Sequence, residues 1–582
     1  MNKSDITNTL DEFGTLLEIK GENPFKSRAF YNASRILATI PDDINRLVEE
    51  QEIQNIKGIG KSIASIIEEL VSTGKSIEFE NLKNEFPTGV FEMLKIPGIG
   101  PKKVSFLLYN LKIQSVEELE SACKAGKLEN AAGFGKKTQE NILHGIEFLK
   151  KHSSRFLYNV AESSAAEILD ILKKQKGVLR AEIAGSLRRR KETIGDIDIL
   201  VSAQKKYISQ LMDVFTSYSS VERFIGKGET KSSVMLKNGI NCDLRIVHDN
   251  EFPFALNYFT GSKEHNVRLR SIAKDIGLSL NEYGFTIIDS KSKKSSKKNI
   301  PTCKTEKDIY KTLGLNYIEP ELREDFGEIE ASQHNKLPKL ITLNDLQGTF
   351  HCHTTYSDGK NTLSEMALAA QNIGWKYLGI ADHSKVAVYA NGLDAKRVTQ
   401  QLNEIDSLNA KLKNFYIFKG TEVDILPNGE LDYSDKILSS FEFVVASVHS
   451  NFSLNEKEMT KRIIRALKNK YVTILGHLTG RLLLQREEYQ LNKIDIINAA
   501  ADYGKIIEIN SHPMRLDLDW RLCKYAKEKG VKISINPDAH NIKGLNDVRY
   551  GVGIARKGWL EKQDVVNTLS VDKIRKLFNK SR

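Results

Sequence analysis

Two groups of acidic and imidazole side chains in this chain have the spacing that metal-assisted phosphate chemistry needs. The first lies in GSLRRRKETIGDIDIL, Gly185 to Leu200. Asp196 and Asp198 stand two apart in a β-branched apolar run, and the period of two in a strand puts both carboxylates on one face. Asp243, in NCDLRIV, belongs to a second strand-like run and can complete the set. Three converging carboxylates repel one another unless cations lie between them, and Mg²⁺ is a hard ion that prefers such oxygens. Two ions about 4 Å apart stabilise the attacking and leaving oxygens of a phosphoryl transfer. Gly185 and Ser186 open the run as a strand-to-helix turn, whose N–H groups and hydroxyl can hold phosphate oxygens. A lone Asp-x-Asp is common at strand ends. The preceding Gly-Ser turn and the later third Asp make this pattern specific.

The second group is rich in histidine. His351, His353 and Asp358 come from FHCHTTYSDG, His383 from ADHS, Glu422 from GTEVDI, His449 from SVHS, His477 from LGHL, and Asp538 and His540 from PDAH. These nine side chains recur at the C-terminal ends of predicted strands, which share one mouth in a barrel. Imidazole suits Zn, Fe and Mn, while carboxylates bridge metals and suit harder ions. Nine ligands exceed the positions around one ion, so two or three of Mn²⁺, Zn²⁺ or Fe²⁺ are expected. The chemistry implied is phosphoester hydrolysis by a metal-activated water.

The elements that position these groups differ along the chain. From Met1 to about Lys151 apolar residues recur at helical spacing. A turn of one form appears three times there, in IKGIGKSIA, IPGIGPKKV and AAGFGKKTQ. Gly58 and Gly60, Gly98 and Gly100, and Gly133 and Gly135 allow close backbone approach, and the helix that follows each pair offers free N–H groups to a phosphate. Lys61, Lys102 and Lys103, and Lys136 and Lys137 follow at once, so the turns suit gripping a DNA backbone without reading sequence. From Val178 to about His248 the runs VLRAEIAGS, IGDIDILVS, SSVMLKN and INCDLRIV read as a sheet. Ser290 to Asn299, SKSKKSSKKN, reads as a solvated loop, with a phosphate-tracking loop as the alternative, and GEIEASQHNKLPKL as a linker. After Thr349, strands and helical patterns alternate: TFHCHT, YLGIADHS, YIFKGTEVDI, FVVASVHS, VTILGHL, IIEINS and KISINPDAH imply a parallel sheet closed as a barrel.

The 582 residues suffice for about four domains at roughly 150 each. A net charge of +11 favours an anionic partner such as nucleic acid. Five isolated cysteines, with no paired spacing, argue against a disulfide framework and for a cytoplasmic setting. No run approaches the ~18 apolar residues of a membrane span.

The three turns resemble helix–hairpin–helix motifs, the third more weakly. The Gly-Ser turn with its Asp-x-Asp looks like the nucleotidyltransferase fold, and YFTGSKEHNVRLR, Tyr258 to Arg270, closely resembles the nucleotide-binding segment of family X DNA polymerases, the polymerase beta group. That resemblance implies that Asp196 and Asp198 bind Mg²⁺ or Mn²⁺ and that Asp243 helps to activate the primer 3′-hydroxyl. It implies that Gly185, Ser186, Arg189, Gly195 and Ser262 bind the nucleotide, Ser186 and Arg189 holding its triphosphate. Tyr258, Phe259 and Gly261 would line the sugar, Asn266 would contact the base and Arg270 the template side. The histidine-rich motifs match the PHP family, named for polymerase and histidinol phosphatase. In that family Asp382 is expected to hold a histidine ligand, and His512 to contact phosphate.

Together the resemblances imply a bacterial or archaeal family X polymerase with a PHP domain. Its fold would be multidomain: an all-α helix–hairpin–helix region, an α/β nucleotidyltransferase palm with a thumb, and a C-terminal distorted (β/α)7 barrel. The expected divisions are residues 1–82 and 83–151 for the helical domains, 152–254 for the palm, 255–328 for the thumb, 329–346 for the linker and 347–582 for the PHP domain. The partners would be gapped or primer-template DNA and deoxynucleoside triphosphates, with no membrane, in a monomer associated with the nucleoid. The activities implied are short-gap filling and a 3′→5′ exonuclease, with 3′-phosphatase or abasic-site endonuclease activity as further options. A small-molecule phosphatase in the second half, or a DNA end-binding scaffold, are the alternatives. One departure stands out: alignment on Gly58 and Gly60 puts Ile66 where polymerase beta has the lysine that forms a Schiff base with an abasic sugar. An alkyl side chain cannot do that chemistry. Borohydride treatment of the protein with abasic DNA is therefore expected to leave no covalent adduct on any lysine of residues 55–80; a trapped adduct there contradicts this.

Overall fold

Short amphipathic segments separated by glycine turns make the first unit, Met1–Ser153, helical. The structure is a computed structural model that describes residues 3–39, 44–96, 98–129, 131, 133–152, 154–288 and 301–580. The run Ser290–Asn299 lies outside them. The first glycine of each repeated turn is left-handed, with φ of +98° at Gly58, +83° at Gly98 and +80° at Gly133. A side chain there would be strained, which explains the glycines. Gly60 and Gly100 then cap the helices Lys61–Thr73 and Pro101–Tyr109, and the third turn leads into Lys136–His152. Ile66 lies on the buried face of the first of these helices, within the apolar core.

The second unit, Ser154–Arg582, begins with a five-stranded sheet. Its order is Val178–Ile183, Asp196–Ala203, Asn241–Val247, Lys231–Leu236, Val221–Lys227. The two strands that bear the carboxylates are adjacent and parallel, while the other pairs are antiparallel. Val221–Lys227 gave no clear signal in the sequence. It is an edge strand with most residues exposed, so it lacks the alternation a half-buried strand shows. The helices Phe252–Thr260 and Lys263–Asp275 follow, then a hairpin of Leu278–Leu280 and Phe285–Ile287.

The stretch read as a linker is partly folded. It includes the helix Glu328–Gln333. Glu328 is buried and accepts hydrogen bonds from the backbone N–H groups of Asp325 and Phe326 at 2.9 and 2.7 Å, and from His265 Nδ1 at 2.7 Å. Polar composition suggested a linker because His265, the buried side-chain partner of Glu328, is remote in sequence.

From Gly348 onward seven strands lie side by side in chain order, all parallel. The end of the first meets the segment after the last: His353 N–H donates to the Ala539 carbonyl at 2.9 Å, and the barrel nearly closes. VTILGHL supplies only a two-residue strand, Ile474–Leu475. Aromatic rings fill the barrel: Phe350 is surrounded by Tyr377, Phe418, Phe443 and Phe578 at centroid distances of 5.2–5.7 Å. Phe578 comes from the last helix, Val571–Lys580, so the chain end completes this core. All five cysteines are free and buried. Among the described residues no helix is long and apolar enough to cross a membrane. Phe578→Ala is expected to cost roughly 3–5 kcal/mol through lost burial and the cavity left behind. A thermal or denaturant unfolding midpoint equal to that of the parent chain would show that the ring does not support the barrel.

Candidate active sites

The parallel pairing of the two acidic strands sets Asp198 directly beside Asp243, with Asp196 beside Asn241. Asp196 is exposed, while Asp198 and Asp243 are half-buried. Lys231 Nζ lies 2.6 Å from Asp243 Oδ2, and the Ser233 hydroxyl donates to Oδ1 at 2.6 Å. Burial pushes the Asp198 carboxyl up to about 6, and the charges of Asp196 and Asp243 add to this against Arg245 and Lys231. A cation there would reverse that balance, so the donor set fits a divalent metal. The turn above is tight: a Cβ on Gly185, at φ +62°, would sit 2.3 Å from Asp198 Oδ2. Gly185 thus lies against Asp198, whereas Arg189 is turned onto Glu324 at 3.0 Å and onto the Thr260 carbonyl; Ser186 follows Gly185 and Gly195 precedes Asp196 in the chain.

Tyr258 and Phe259 end the helix Phe252–Thr260 with their rings edge-to-face at 5.2 Å, and Arg245 covers Phe259 at 4.3 Å. Gly261 follows at φ +68°, and Ser262 caps the helix Lys263–Asp275. Asn266 donates to the Tyr258 carbonyl at 2.7 Å, and Arg270, one turn on, is exposed. Arg188, which the sequence did not single out, donates to Glu306 at 2.6 Å and to the Thr260 hydroxyl at 2.6 Å.

In the barrel the nine His, Asp and Glu side chains meet at the strand ends. Glu422, 1% exposed, is the centre. Its carboxylate lies 2.9 Å from His383 Nδ1, 3.1 Å from His477 Nε2, 3.2 Å from His449 Nε2, 3.3 Å from His351 Nε2 and 3.8 Å from His353 Nε2. Asp538 lies 3.2 Å from His353, and Asp358 lies 3.3 Å from His540. Three overlapping sets have donor atoms within 4.8 Å of one another: His353, Asp358, His383 and His540; His351, His353 and Asp538; and His383, Glu422 and His449. Buried ring nitrogens of His351, His353, His383 and His477 make no well-aligned hydrogen bond among the described residues, even where a carboxylate oxygen is near. Such orphaned acceptors suit metal ions, so the residues fit a cluster. Burial works against charge on Glu422 and Asp538, but the imidazoles around them hold both carboxyls well below the usual range.

Three groups that support this centre were missed in the sequence. Glu508, fully buried, takes the Nδ1 proton of His351 at 2.7 Å and the backbone N–H of His477 at 2.7 Å. Asp424 lies 3.2 Å from His449 Nδ1, and Arg515 lies 3.6 Å from Asp538. The available signal was a carboxylate inside the otherwise apolar run IIEIN. Asp382 does not hold a histidine. It accepts from Thr354, Ser357 and Gln401, and so anchors the loop that presents Asp358, because its strand-end position faces that loop. His512 is half-buried beside this region, its backbone N–H donating to Asn510 at 3.1 Å.

A sheet with three carboxylates, joined to a seven-stranded barrel with a His/Asp/Glu cluster, defines a two-site phosphate-processing enzyme class. Family comparisons agree: residues 1–76 match a helix-hairpin-helix domain, 90–147 a SAM-like helix-hairpin-helix tandem, 255–324 the DNA polymerase beta thumb and 349–512 the PHP domain. The chain is 39% identical over 573 residues to the DNA polymerase/3′-5′ exonuclease PolX of Bacillus subtilis (strain 168), covering 98% of each chain. It is 24% identical over 343 residues to DNA polymerase lambda of Rattus norvegicus, covering 55% of this chain and 56% of that one. It is 29% identical over 243 residues to a probable phosphatase of Thermoanaerobacter sp. (strain X514), 40% of this chain and 94% of the relative. The chain belongs to the family X DNA polymerases that carry a C-terminal PHP domain.

The raised Asp198 carboxyl has a pH consequence. It is neutral below about 6 and ionised above it, so protons would compete with a divalent ion held there as pH falls. The Mg²⁺ concentration for half-maximal primer extension is expected to rise from pH 7.5 to 5.5, approaching about tenfold per pH unit below the carboxyl's pKa. A requirement that stays flat over that range contradicts a proton-linked site.

Proposed function

We propose that this chain is a DNA-directed DNA polymerase that fills short gaps during DNA repair, and that its barrel is a metal-dependent 3′→5′ exonuclease working on the same DNA. One observation carries the reading: two separate metal-ligand sets lie on a chain aligned over nearly its whole length with a polymerase/exonuclease. In this reading Asp196 and Asp198 hold Mg²⁺ or Mn²⁺, and Asp243, beside Asp198, orients the primer 3′-hydroxyl for attack on the α-phosphorus. Ser186 and Arg189 hold the triphosphate as pyrophosphate leaves. Tyr258 and Phe259 shape the sugar pocket, and Asn266 and Arg270, on one helix face, address the base pair. The hairpin glycines and their lysines grip the DNA backbone, with salt-sensitive affinity.

In the barrel the nine ligands would hold two or three Mn²⁺, Zn²⁺ or Fe²⁺. Bound ions there supply a deprotonated water and polarise the phosphoryl oxygens. Glu508 and Asp424 fix the tautomers of His351 and His449, keeping each ligating nitrogen free. We place the enzyme in the cytoplasm with the nucleoid, as a monomer, and assign the 3′-phosphatase and abasic-site activities to the same centre. The likeness to a probable phosphatase supports a second reading, a small-molecule phosphatase in the barrel.

A labelled primer beside a one-nucleotide gap, with Mn²⁺, tests both halves. Extension with deoxynucleotides and shortening without them are expected. Asp198→Ala should remove extension by at least about a hundredfold and keep shortening, and His353→Ala the reverse. Loss of both activities in either variant sinks the assignment of separate sites. Faster turnover of histidinol phosphate than of a DNA 3′ end would favour the second reading.

A further inference from the structure

The residues after the Gly-Ser turn are largely half-buried, clasped by the thumb and the barrel. Arg189 donates through Nε to Glu324 Oε1 at 3.0 Å. Lys191 approaches the other oxygen, Oε2, at 3.0 Å. The third cation on Glu324 is Lys557, the last residue of the barrel helix Val548–Lys557. Its Nζ lies 2.5 Å from the same Oε1 that receives Arg189. Lys557 is 1% exposed, yet its ammonium is fully used. It also donates to the carbonyl of Arg189 at 3.1 Å, 368 residues away in sequence, and to that of Glu321 at 3.3 Å. Trp520 presents its ring face at 4.7 Å. Three N–H donors meet three oxygens, which exhausts an ammonium's capacity.

The neighbours repeat this arrangement. Glu321 receives Arg556 of the same barrel helix at 2.7 Å and has Arg190 at 3.8 Å. Arg190 itself packs against Gly553, where an added Cβ would come within 2.7 Å of its Cδ. Glu192 faces Arg481 and Arg521 of the barrel at 3.9 and 3.8 Å.

We propose that Lys557 of the barrel is a positioning residue for the polymerase site, acting through Glu324 on Arg189. The inference rests on the reading of Arg189 as a triphosphate contact. A buried carboxylate with one cation would hold that cation against the anionic substrate. Glu324 shares its charge among Arg189, Lys191 and Lys557, so it guides the guanidinium without retaining it. Burial opposes the charge on both partners and brings the Lys557 ammonium down to about 8, but Lys557, Arg189 and Lys191 hold the Glu324 carboxyl at about 2, so the pair is ionised at neutral pH. Lys557 also ties down the backbone of Arg189. The barrel is thus part of the nucleotide subsite, besides being a nuclease.

The test is steady-state extension of gapped DNA by the full chain, with exonuclease turnover measured on the same preparations. Lys557→Met is expected to raise KM for the deoxynucleotide about tenfold with a smaller change in kcat, as for lost ground-state positioning. The double variant Glu324→Gln/Lys557→Met removes the surplus charge and should bring KM back toward the parent value. Exonuclease turnover should stay within about twofold in both, since neither residue touches that centre. A parent-like KM in Lys557→Met, a rise not relieved by Glu324→Gln, or exonuclease loss in step with polymerase loss overturns the proposal. Arg189→Ala separates the two ideas. If it leaves KM unchanged, the reading of Arg189 fails; if it raises KM while Lys557→Met does not, only the role of Lys557 fails.

Discussion

A carboxylate buried among five imidazoles governs the second half of this protein. Glu422 is almost fully enclosed, and the five rings that face it come from four strand ends or the loops just after them, His351 and His353 sharing one. Removing such a charge from water costs several kcal/mol unless partners compensate. The ring nitrogens left without hydrogen bonds show that the imidazoles alone do not complete the balance. Metal ions would, and their binding would then be coupled to folding of the barrel. This explains why so many chain segments converge at one point: ligands spread from His351 to His540 require the strands between to run parallel in sequence order.

The polymerase site obeys the same electrostatics on a smaller scale. Its strands are parallel neighbours, so Asp198 and Asp243 meet side by side without any loop having to deliver them. The Gly185 turn must pass against Asp198, which leaves no room for a side chain. The same turn runs on into Arg189, Arg190, Lys191 and Glu192, each paired with a carboxylate or cation of the thumb or barrel. Palm and barrel are therefore one mechanical body, and their cores are continuous, with Tyr158 against Tyr550 at 5.8 Å.

Local pattern made much of this legible. The Asp-x-Asp strand and the His-x-His strand declare themselves because ligands sit at fixed offsets from apolar runs, and the hairpin turns because the first glycine of each takes a left-handed conformation. What stayed hidden depends on partners remote in sequence. Glu508 reads as one charge in a strand until His351 is seen beside it. Glu328 reads as part of a polar linker until His265 is seen to face it. The run RRRKE suggested one phosphate-binding arginine, whereas Arg188 pairs with Glu306 and the remaining members meet carboxylates and cations of the thumb and barrel. Asp382 is expected to hold a histidine ligand, yet its carboxylate accepts from Thr354, Ser357 and Gln401 instead. Ion pairs that bridge hundreds of residues leave no periodic trace in a sequence.

The most direct test of two independent metal centres is anomalous diffraction from crystals of the full chain grown with Mn²⁺. Two groups of peaks are predicted: one between Asp196, Asp198 and Asp243, and one of two or three ions around Glu422 bounded by His351, His353, His383, His449 and Asp538. Peaks elsewhere, or an empty centre beside Glu422 at saturating Mn²⁺ with its imidazoles in place, would contradict the account.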